Sequence, residues 1–459
     1  MDWLKLAEAK RQQIIDQTSK LVSVNSIEQP ETAAPGAPYG AEVRRVLDYA
    51  LEMGQNAGFA TRDFEGKVGR IECGAGDKIF GILAHLDIVP AGEGWLTDPF
   101  TATIKDGRLH GRGVIDDKGP AVAILAAMEI ASSLVPQPKC KVHLILGCNE
   151  ETGMGCMHHY VDNVPDLPDF GVTPDNSFPV VFGEKGIVRA QVAGALDSAI
   201  VGFDAGLRPN VVPNLAKATV KMGSLSEAEI RSSFESYLAA HHMTGELSFA
   251  DGLVTVQLNG VSCHAQAPQD GVNAATHLFD WIGQCFGDSA AAHIAALFSD
   301  NLGNGCGLAF TGAYMGELTQ SLGVAKIEDG QLSLVLDIRH PNDITPDEVL
   351  SRLGGAVKSA CGSWEATLLS VSPYLFADPE SPFIRQLVGI YQDITGDTQT
   401  PPQVTGGGTY ARVLEEGVAF GSVFPGEEEL AHQADEYMSL DSLVLNMRIF
   451  ARAIEKLQD

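Results

Sequence analysis

Basic residues are scarce in this chain: 31 lysines and arginines stand against 59 aspartates and glutamates in 459 residues, a formal net charge of −28. Nucleic-acid binding rests largely on cationic contacts to phosphate, so that class of partner is disfavoured. An anionic small molecule would have to be held by a few local cations. Cysteine is sparse too. The eight (Cys73, Cys140, Cys148, Cys156, Cys263, Cys285, Cys306, Cys361) are scattered and form no C-x-x-C pair, a pattern that suits a reducing cytosol better than a disulfide framework. Long apolar runs are missing. The most apolar helical stretch, PAVAILAAMEIASSLV, is interrupted by Glu129 and is too short to cross a bilayer. The opening MDWLKLAEAKRQQIIDQTSKLVSV reads as one amphipathic surface helix without the apolar centre of a signal peptide. The expectation is a cytoplasmic protein with neither membrane nor nucleic acid as partner. H-E-x-x-H and G-x-S-x-G are also absent, and GNGCG and TGGGTY complete neither a dinucleotide fingerprint nor a P-loop.

What is present is a globular composition, 45% hydrophobic and 20% charged, long enough for two or three domains. In the first ~187 residues, strand and helix patterns alternate. KIFGILAHLD is an apolar strand opening onto His85 and Asp87. GPAVAILAAMEIASSLVP is a helix with Pro120 near its start and Pro136 beyond its end. KVHLILGCNEE is a second strand, and DFGVTPDNSFP a third that ends at Asp175. Such alternation implies an α/β layer on a mostly parallel sheet. The middle of the chain reads differently. LVTVQLNGVSCHA and GQLSLVLDIRHP alternate apolar and polar, as strands with one wet face do, and NAATHLFDWIGQCF is helical between them. From SPFIRQLVGIYQDITG onward the α/β pattern returns. The expected organisation is therefore a catalytic domain in two parts, 1–188 and 379–459, interrupted by an α+β domain at 189–378.

Ligand-type residues gather where the expected strands end: His85 and Asp87, then Asp116 and Asp117 in GRGVIDDKGP, Glu150 and Glu151, and Asp175. His432 in GEEELAHQADE is a further candidate. Open α/β sheets bind ligands outside the carboxyl ends of their strands, and carboxylates mixed with imidazoles suit zinc or a similar divalent ion. A carboxylate bridging two ions about 3.5–4 Å apart is what a two-metal hydrolytic site needs. The adjacent pair Glu150–Glu151 makes sense if one binds metal and the other takes a proton from a bridging water. Any one of these acids alone reads more readily as a solvated loop charge than as a ligand; it is the combination that points to a metal. Cys148, Cys156, His158 and His159 have no zinc-finger spacing and read as packed thiols and helix-surface histidines.

HLDIVPAGEGW, GRGVIDDKGP, NEETG, TPDNSFP, GGGTYAR and HQADE, in that order along the chain, resemble the di-zinc metallopeptidase family of aminoacylases, carboxypeptidase G, carnosinases and dipeptidase V, most of all its bacterial dipeptidase V branch. The resemblance implies a zinc-peptidase-like α/β domain interrupted by a lid domain. It implies two zinc ions per chain, with Mn²⁺ or Co²⁺ as substitutes. One would be held by His85 and Asp175 and the other by Glu151 and His432, with Asp116 bridging and the peptide after it cis. By the same carry-over Asp117 is not a ligand, Asp87 orients the His85 imidazole, and Glu150 is the general base. In the inserted domain His264 would stabilise the oxyanion, and Asn210 and Arg339 would hold the substrate carboxylate or scissile carbonyl. The backbone of Gly406, Gly407 and Gly408 would approach the substrate, as glycine allows. Departures from the family pattern are His340 in DIRHP, and Leu96 and Thr97 in GWLTDPF.

The activity expected from the resemblance is hydrolysis of small dipeptides with a free amino end by a metal-bridged water. The rivals are an N-acyl-amino-acid amidohydrolase with the same metal centre and a catalytically silent binding protein. Intact Glu150 speaks against silence, since a receptor needs no base. The inserted segment, about 190 residues, is long enough for two small α+β halves. It could thus supply His264 from the same chain in a monomer, with a homodimer as the alternative.

Overall fold

The apolar runs that end on charged residues become neighbouring strands of one sheet. In this computed structural model, which describes residues 3–135 and 139–457, a nine-stranded sheet runs in the order Ala60–Phe64, Val68–Gly74, Cys140–Gly147, Lys78–His85, Phe170–Thr173, Gly417–Ala419, Val181–Glu184, Leu375–Phe376, with Gln403–Thr405 also paired to Val181–Glu184. The four central strands are parallel, while Ala60–Phe64 with Val68–Gly74, Val68–Gly74 with Cys140–Gly147, and Gly417–Ala419 with Val181–Glu184 pair antiparallel. Register aligns the strand ends: His85 pairs with Gly147, and Thr173 with Ala419. All four central strands therefore finish on the same side. The third expected strand stops at Thr173 rather than Asp175, because Pro174 has no N–H to give the ladder.

The apolar helix is Lys118–Leu134, buried along most of its length with Pro120 in its first turn, and it packs against Leu440–Lys456. Pro136 lies outside the described residues. Glu129, the charge that interrupts this helix in sequence, accepts hydrogen bonds from Lys10 Nζ (2.6 Å) and Gln13 Nε2 (2.7 Å). The opening helix is two rather than one, Trp3–Ala9 and Arg11–Val22. The break falls at Lys10, whose N–H bonds back to Ala7 in a tight turn and whose ammonium is drawn to Glu129. Among the described residues no helix is long and apolar enough to cross a membrane.

The chain divides into two compact units, one of Met1–Gly183, Leu375–Gln403 and Gly408–Asp459, the other of Glu184–Tyr374 with Val404–Gly407. The second is built on an eight-stranded antiparallel sheet in the order Thr244–Ala250, Leu253–Asn259, Leu215–Lys221, Ile200–Ala205, Thr319–Glu328, Gln331–His340, Gly186–Ala195, Trp364–Ser372. Ile200–Ala205 meets Thr319–Glu328 antiparallel at the middle. Each of these is followed by a pairing strand and then a helix, Glu227–His241 on one side and Pro346–Ala360 on the other. The unit thus consists of two α+β halves sharing a sheet. One face of that sheet is sealed by a core that includes Phe203, Phe279, Trp281 and Trp364, with Phe203 and Phe279 stacked at 4.0 Å.

Candidate metal centre

The aligned carboxyl ends of the central strands carry the site. His85 closes its own strand and is 1% exposed. Its Nε2 lies 2.7 Å from Asp116 Oδ1. The other oxygen of the same carboxylate, Asp116 Oδ2, lies 3.0 Å from His432 Nε2, which is also 3.0 Å from Glu151 Oε1. Ligand atoms of His85, Asp116 and Asp175 all lie within 4.8 Å of one another, and so do those of Asp116, Glu151 and His432. Asp116 belongs to both groups. The peptide that follows it is cis.

The electrostatics of this cluster are those of a cation site. Burial, together with neighbouring acids, holds the Glu150, Glu151 and Asp175 carboxyls above their usual range. Burial opposes protonation of both histidines, yet Asp116 and its fellow carboxylates outweigh it. His85 is raised well above normal, and His432 is pushed up to about 11. Asp116 is drawn down against its burial by those two imidazoles. Glu150 Oε1 is buried with no hydrogen-bond partner. Two imidazole nitrogens and three carboxylates, one common to both halves, form a donor set that fits two borderline divalent ions; the orphaned Glu150 oxygen adds a buried acceptor beside them.

Further contacts hold these residues in place. His85 Nδ1 lies 3.0 Å from the carbonyl oxygen of Asp87, while the Asp87 carboxylate is 3.6 Å away. That carboxylate is turned instead to the Glu150–Glu151 turn, accepting from Glu150 N (3.1 Å) and Glu151 N (3.0 Å). Asp117 is fully buried and accepts from His85 N at 3.2 Å. Glu28 accepts from Asn149 Nδ2 at 2.9 Å and from the Thr152 hydroxyl, bracketing the two glutamates. Gly147 ends its strand against the Tyr410 ring, where a Cβ would lie 2.2 Å from the hydroxyl, so the close approach requires glycine. Cys148 and Cys156 are buried thiols; Cys156 contacts the Tyr410 hydroxyl at 2.9 Å, and His158 is exposed.

The candidate residues of the second unit form their own chain of contacts. Asn210 O accepts from Ala265 N at 2.9 Å, and Val211 bridges His264. Gln266 N donates to His264 Nδ1 at 3.2 Å. Gln266 in turn packs against Gly406 and Gly407, where a Cβ on either glycine would lie 2.9 Å from it. Gly406 O accepts from Arg339 Nη1 at 2.9 Å. Arg339 is buried and gripped by Asp337 through Nε (2.5 Å) and Nη2 (3.1 Å). Gly408 belongs to the first unit, where a Cβ would meet the Arg412 guanidinium at 2.3 Å. Sequence reasoning missed Glu28, Gln266, Asp337 and Tyr410. Asp337 and Tyr410 lie inside quoted motifs, DIRHP and GGGTYAR; Glu28 and Gln266 carry no local signal.

A family model described as Peptidase family M20/M25/M40 matches residues 81–456. "Putative dipeptidase YtjP" of Bacillus subtilis (strain 168) is 34% identical over 470 residues, covering 100% of both chains. "Putative dipeptidase SSP1012" of Staphylococcus saprophyticus is 33% identical over 459 residues and 97% of each chain. Among solved structures, human carnosine dipeptidase 1 has a TM-score of 0.58 at 14% identity, covering 100% of this chain and 99% of that one. The dipeptidase Dug1p of Saccharomyces cerevisiae has a TM-score of 0.59 at 13% identity, covering 100% and 98%. At those identities the likeness is one of fold.

The twin grip of Asp87 gives a test. Replacing Asp87 with Ala leaves the part-buried Glu150 and Glu151 N–H groups without their acceptor, and an orphaned donor costs about 1–3 kcal/mol where water cannot replace the partner. Urea denaturation of Asp87→Ala is expected to show a loss of that order. An unchanged midpoint would mean that the grip holds nothing in place.

Proposed function

Because the chain belongs to peptidase family M20/M25/M40 and is a metallopeptidase, we propose that it is a dipeptidase acting on small dipeptides with a free amino end through two zinc ions. His85 and Asp175 would hold one ion, Glu151 and His432 the other, and Asp116 would hold both. The observation that carries this reading is that Asp116 lies in both groups of ligand atoms. The mixed nitrogen and oxygen donors also accept Mn²⁺ or Co²⁺. Relatives named as dipeptidases and similar over their full length support the substrate class, and eight free thiols support a cytoplasmic location.

Two divalent ions, when bound, supply Lewis acidity and lower the pKa of water to near neutrality. Moving protons is left to the chain. Glu150 adjoins the ligand Glu151 and is not in either ligand group; it takes the proton of the attacking water and returns it to the leaving amine. The Asp87 carboxylate fixes the backbone on which Glu150 stands. In the second unit His264 serves the oxyanion, and one such donor is typically worth about 3–4 kcal/mol. Arg339 and Asn210, with the main chain of Gly406–Gly408, hold the substrate carboxylate or the scissile carbonyl. The division at 188/189 and 378/379, with a lid between, belongs to the same reading. An N-acyl-amino-acid amidohydrolase would share every metal ligand, so a panel of dipeptides against N-acetyl amino acids, with and without Zn²⁺ or Mn²⁺, separates the two.

Glu150→Gln is expected to retain metal and to lose at least about 100-fold in turnover, the low end of what general-base transfer is worth. Near-normal turnover in that variant sinks the mechanism.

Chelation should abolish hydrolysis, and Zn²⁺, Mn²⁺ or Co²⁺ should restore it. Full activity in protein shown by elemental analysis to be metal-free contradicts the scheme.

We take the active species to be a monomer in which His264 serves its own chain, the two-halved second unit standing in for a partner's. Mixing Glu150→Gln with His264→Ala protein tests this, since action in cis restores nothing. Recovered activity would show a histidine working across a dimer.

A further inference from the structure

We infer that the buried Arg112–Glu436 ion pair is a positioning device for the metal centre, a knot that fixes the segments bearing Asp116 and His432 to each other and to the loop after His85. This rests on the two-metal reading above. Glu436 is 0% and Arg112 1% exposed, and they meet at 2.7 Å.

Glu436 stands four residues past His432, on a stretch between Val423 and Tyr437 that contains no helix or strand. The His432 side chain is half exposed, so its position depends in good part on where its loop is anchored. The Glu436 carboxylate is that anchor. Besides Arg112 it accepts from Gly113 N (3.0 Å) and Ile115 N (2.9 Å), the latter one residue before Asp116. Gly111 N donates to Glu436 O at 3.0 Å, and Tyr437 pairs with His110. The chain leading to Asp116 is thus tied to the chain following His432 through both side chain and backbone.

Arg112 carries the tie onward. Its Nη2 donates to Ala91 O at 3.2 Å, its backbone N–H to Pro99 O at 2.8 Å, and its guanidinium lies 5.2 Å from the Trp95 ring. Trp95 itself donates to Ala91 O, and Leu96 N donates to Asp435 next to Glu436. The segment 90–99 begins five residues after His85. Buried ion pairs are poor sources of stability, since desolvation offsets their attraction. A pair kept at the junction of three ligand-bearing segments is better explained by geometry, as outer contacts orient the ligands of metal sites and tune affinity.

The control lies in the same unit. Arg70 is also fully buried and paired, to Glu72 and Asp166, with Tyr160 as a third partner, but none of these contacts reaches a ligand-bearing loop.

The test titrates metal-free protein with Co²⁺ in competition with a chelator, reading affinity and the visible absorption of the bound ion. Parent protein should bind two ions. Glu436→Gln, which puts a donor where Arg112 or Gly113 also donates, is expected to lose ten- to one-hundredfold in affinity for at least one ion and to change the absorption band. Arg70→Met should melt earlier yet keep the parent affinity and band. Should Glu436→Gln fail to fold, Arg112→Lys decides by the same readouts, because lysine keeps the charge but cannot span Glu436 and Ala91 together. A folded variant of the knot with parent affinity and spectrum overturns the inference. So does an Arg70→Met protein that loses Co²⁺ equally, since general loosening would then explain both. A parent chain that binds no Co²⁺ ends the two-metal reading itself, and this inference with it.

Discussion

One carboxylate faces two imidazoles. Asp116 presents Oδ1 to His85 and Oδ2 to His432, and this sharing is the constraint around which the first unit is arranged. The three residues are far apart in sequence, so only tertiary structure can bring them together. Parallel pairing does the first part: strands ending in register put His85, the Glu150–Glu151 turn and Asp175 at one edge of the sheet. Burial then raises the stakes. Two carboxylates 4 Å apart repel by about 4 kcal/mol at an effective dielectric of 20, and Asp116, Asp175, Glu150 and Glu151 crowd one water-poor neighbourhood. Such a cluster calls either for protons, which the raised carboxyls of Glu150, Glu151 and Asp175 favour, or for compensating positive charge. Divalent cations supply it far more compactly than protonated histidines can.

The acidic surplus of the chain has a second use inside this unit. Asp117 accepts the N–H of His85, Asp87 those of Glu150 and Glu151, and Glu436 those of Gly113 and Ile115 beside Asp116. In each case a carboxylate outside the two ligand groups holds the backbone of a residue within or next to them. Each such bond gives a main-chain N–H its partner where no helix or sheet ladder supplies one. Acids divide into two classes here, those whose oxygens point at the shared centre and those whose oxygens point at main-chain N–H groups.

That division sets the limit of what the sequence makes legible. The fold class is readable because continuous apolar runs such as KIFGILAHLD mark strands buried on both faces, while the alternation in GQLSLVLDIRHP marks an antiparallel sheet with one open face. The clustering of ligand-type residues at strand ends follows from the same pattern. Which acid of a neighbouring pair faces the centre does not: Asp116 and Asp117 differ by one residue and by a cis peptide, and periodicity carries no trace of it. Only the resemblance separated them. Asp87 shows the same limit. Its spacing from His85 suggests a carboxylate beside the ring, and the carboxylate does lie 3.6 Å from Nδ1; but the strand ends at His85, the Asp87 carbonyl makes the shorter contact, and the bonds of the side chain to Glu150 N and Glu151 N have no signal in the spacing. Glu28 and Glu436 act across more than 100 residues of sequence, and a polar contact between irregular segments has no period to betray it.

The metal centre cannot by itself select a substrate, because any amide bond presents the same carbonyl and leaving nitrogen to it. Discrimination requires groups that touch the rest of the molecule. Within the second unit, Asn210, His264, Gln266, Gly406 and Arg339 form one chain of contacts. Arg339 is held by Asp337 in a two-point grip and by a carbonyl on its other side, so its fork is fixed in orientation. His264, by contrast, is exposed on a loop. Under the proposed function, a substrate carboxylate would be one of the features such groups meet. Dipeptides and N-acyl amino acids both carry that carboxylate. What separates them is the other end of the molecule, a charged amine in one and a neutral acyl group in the other. On the proposed reading, the net charge of −28 would favour the amine through its long-range field.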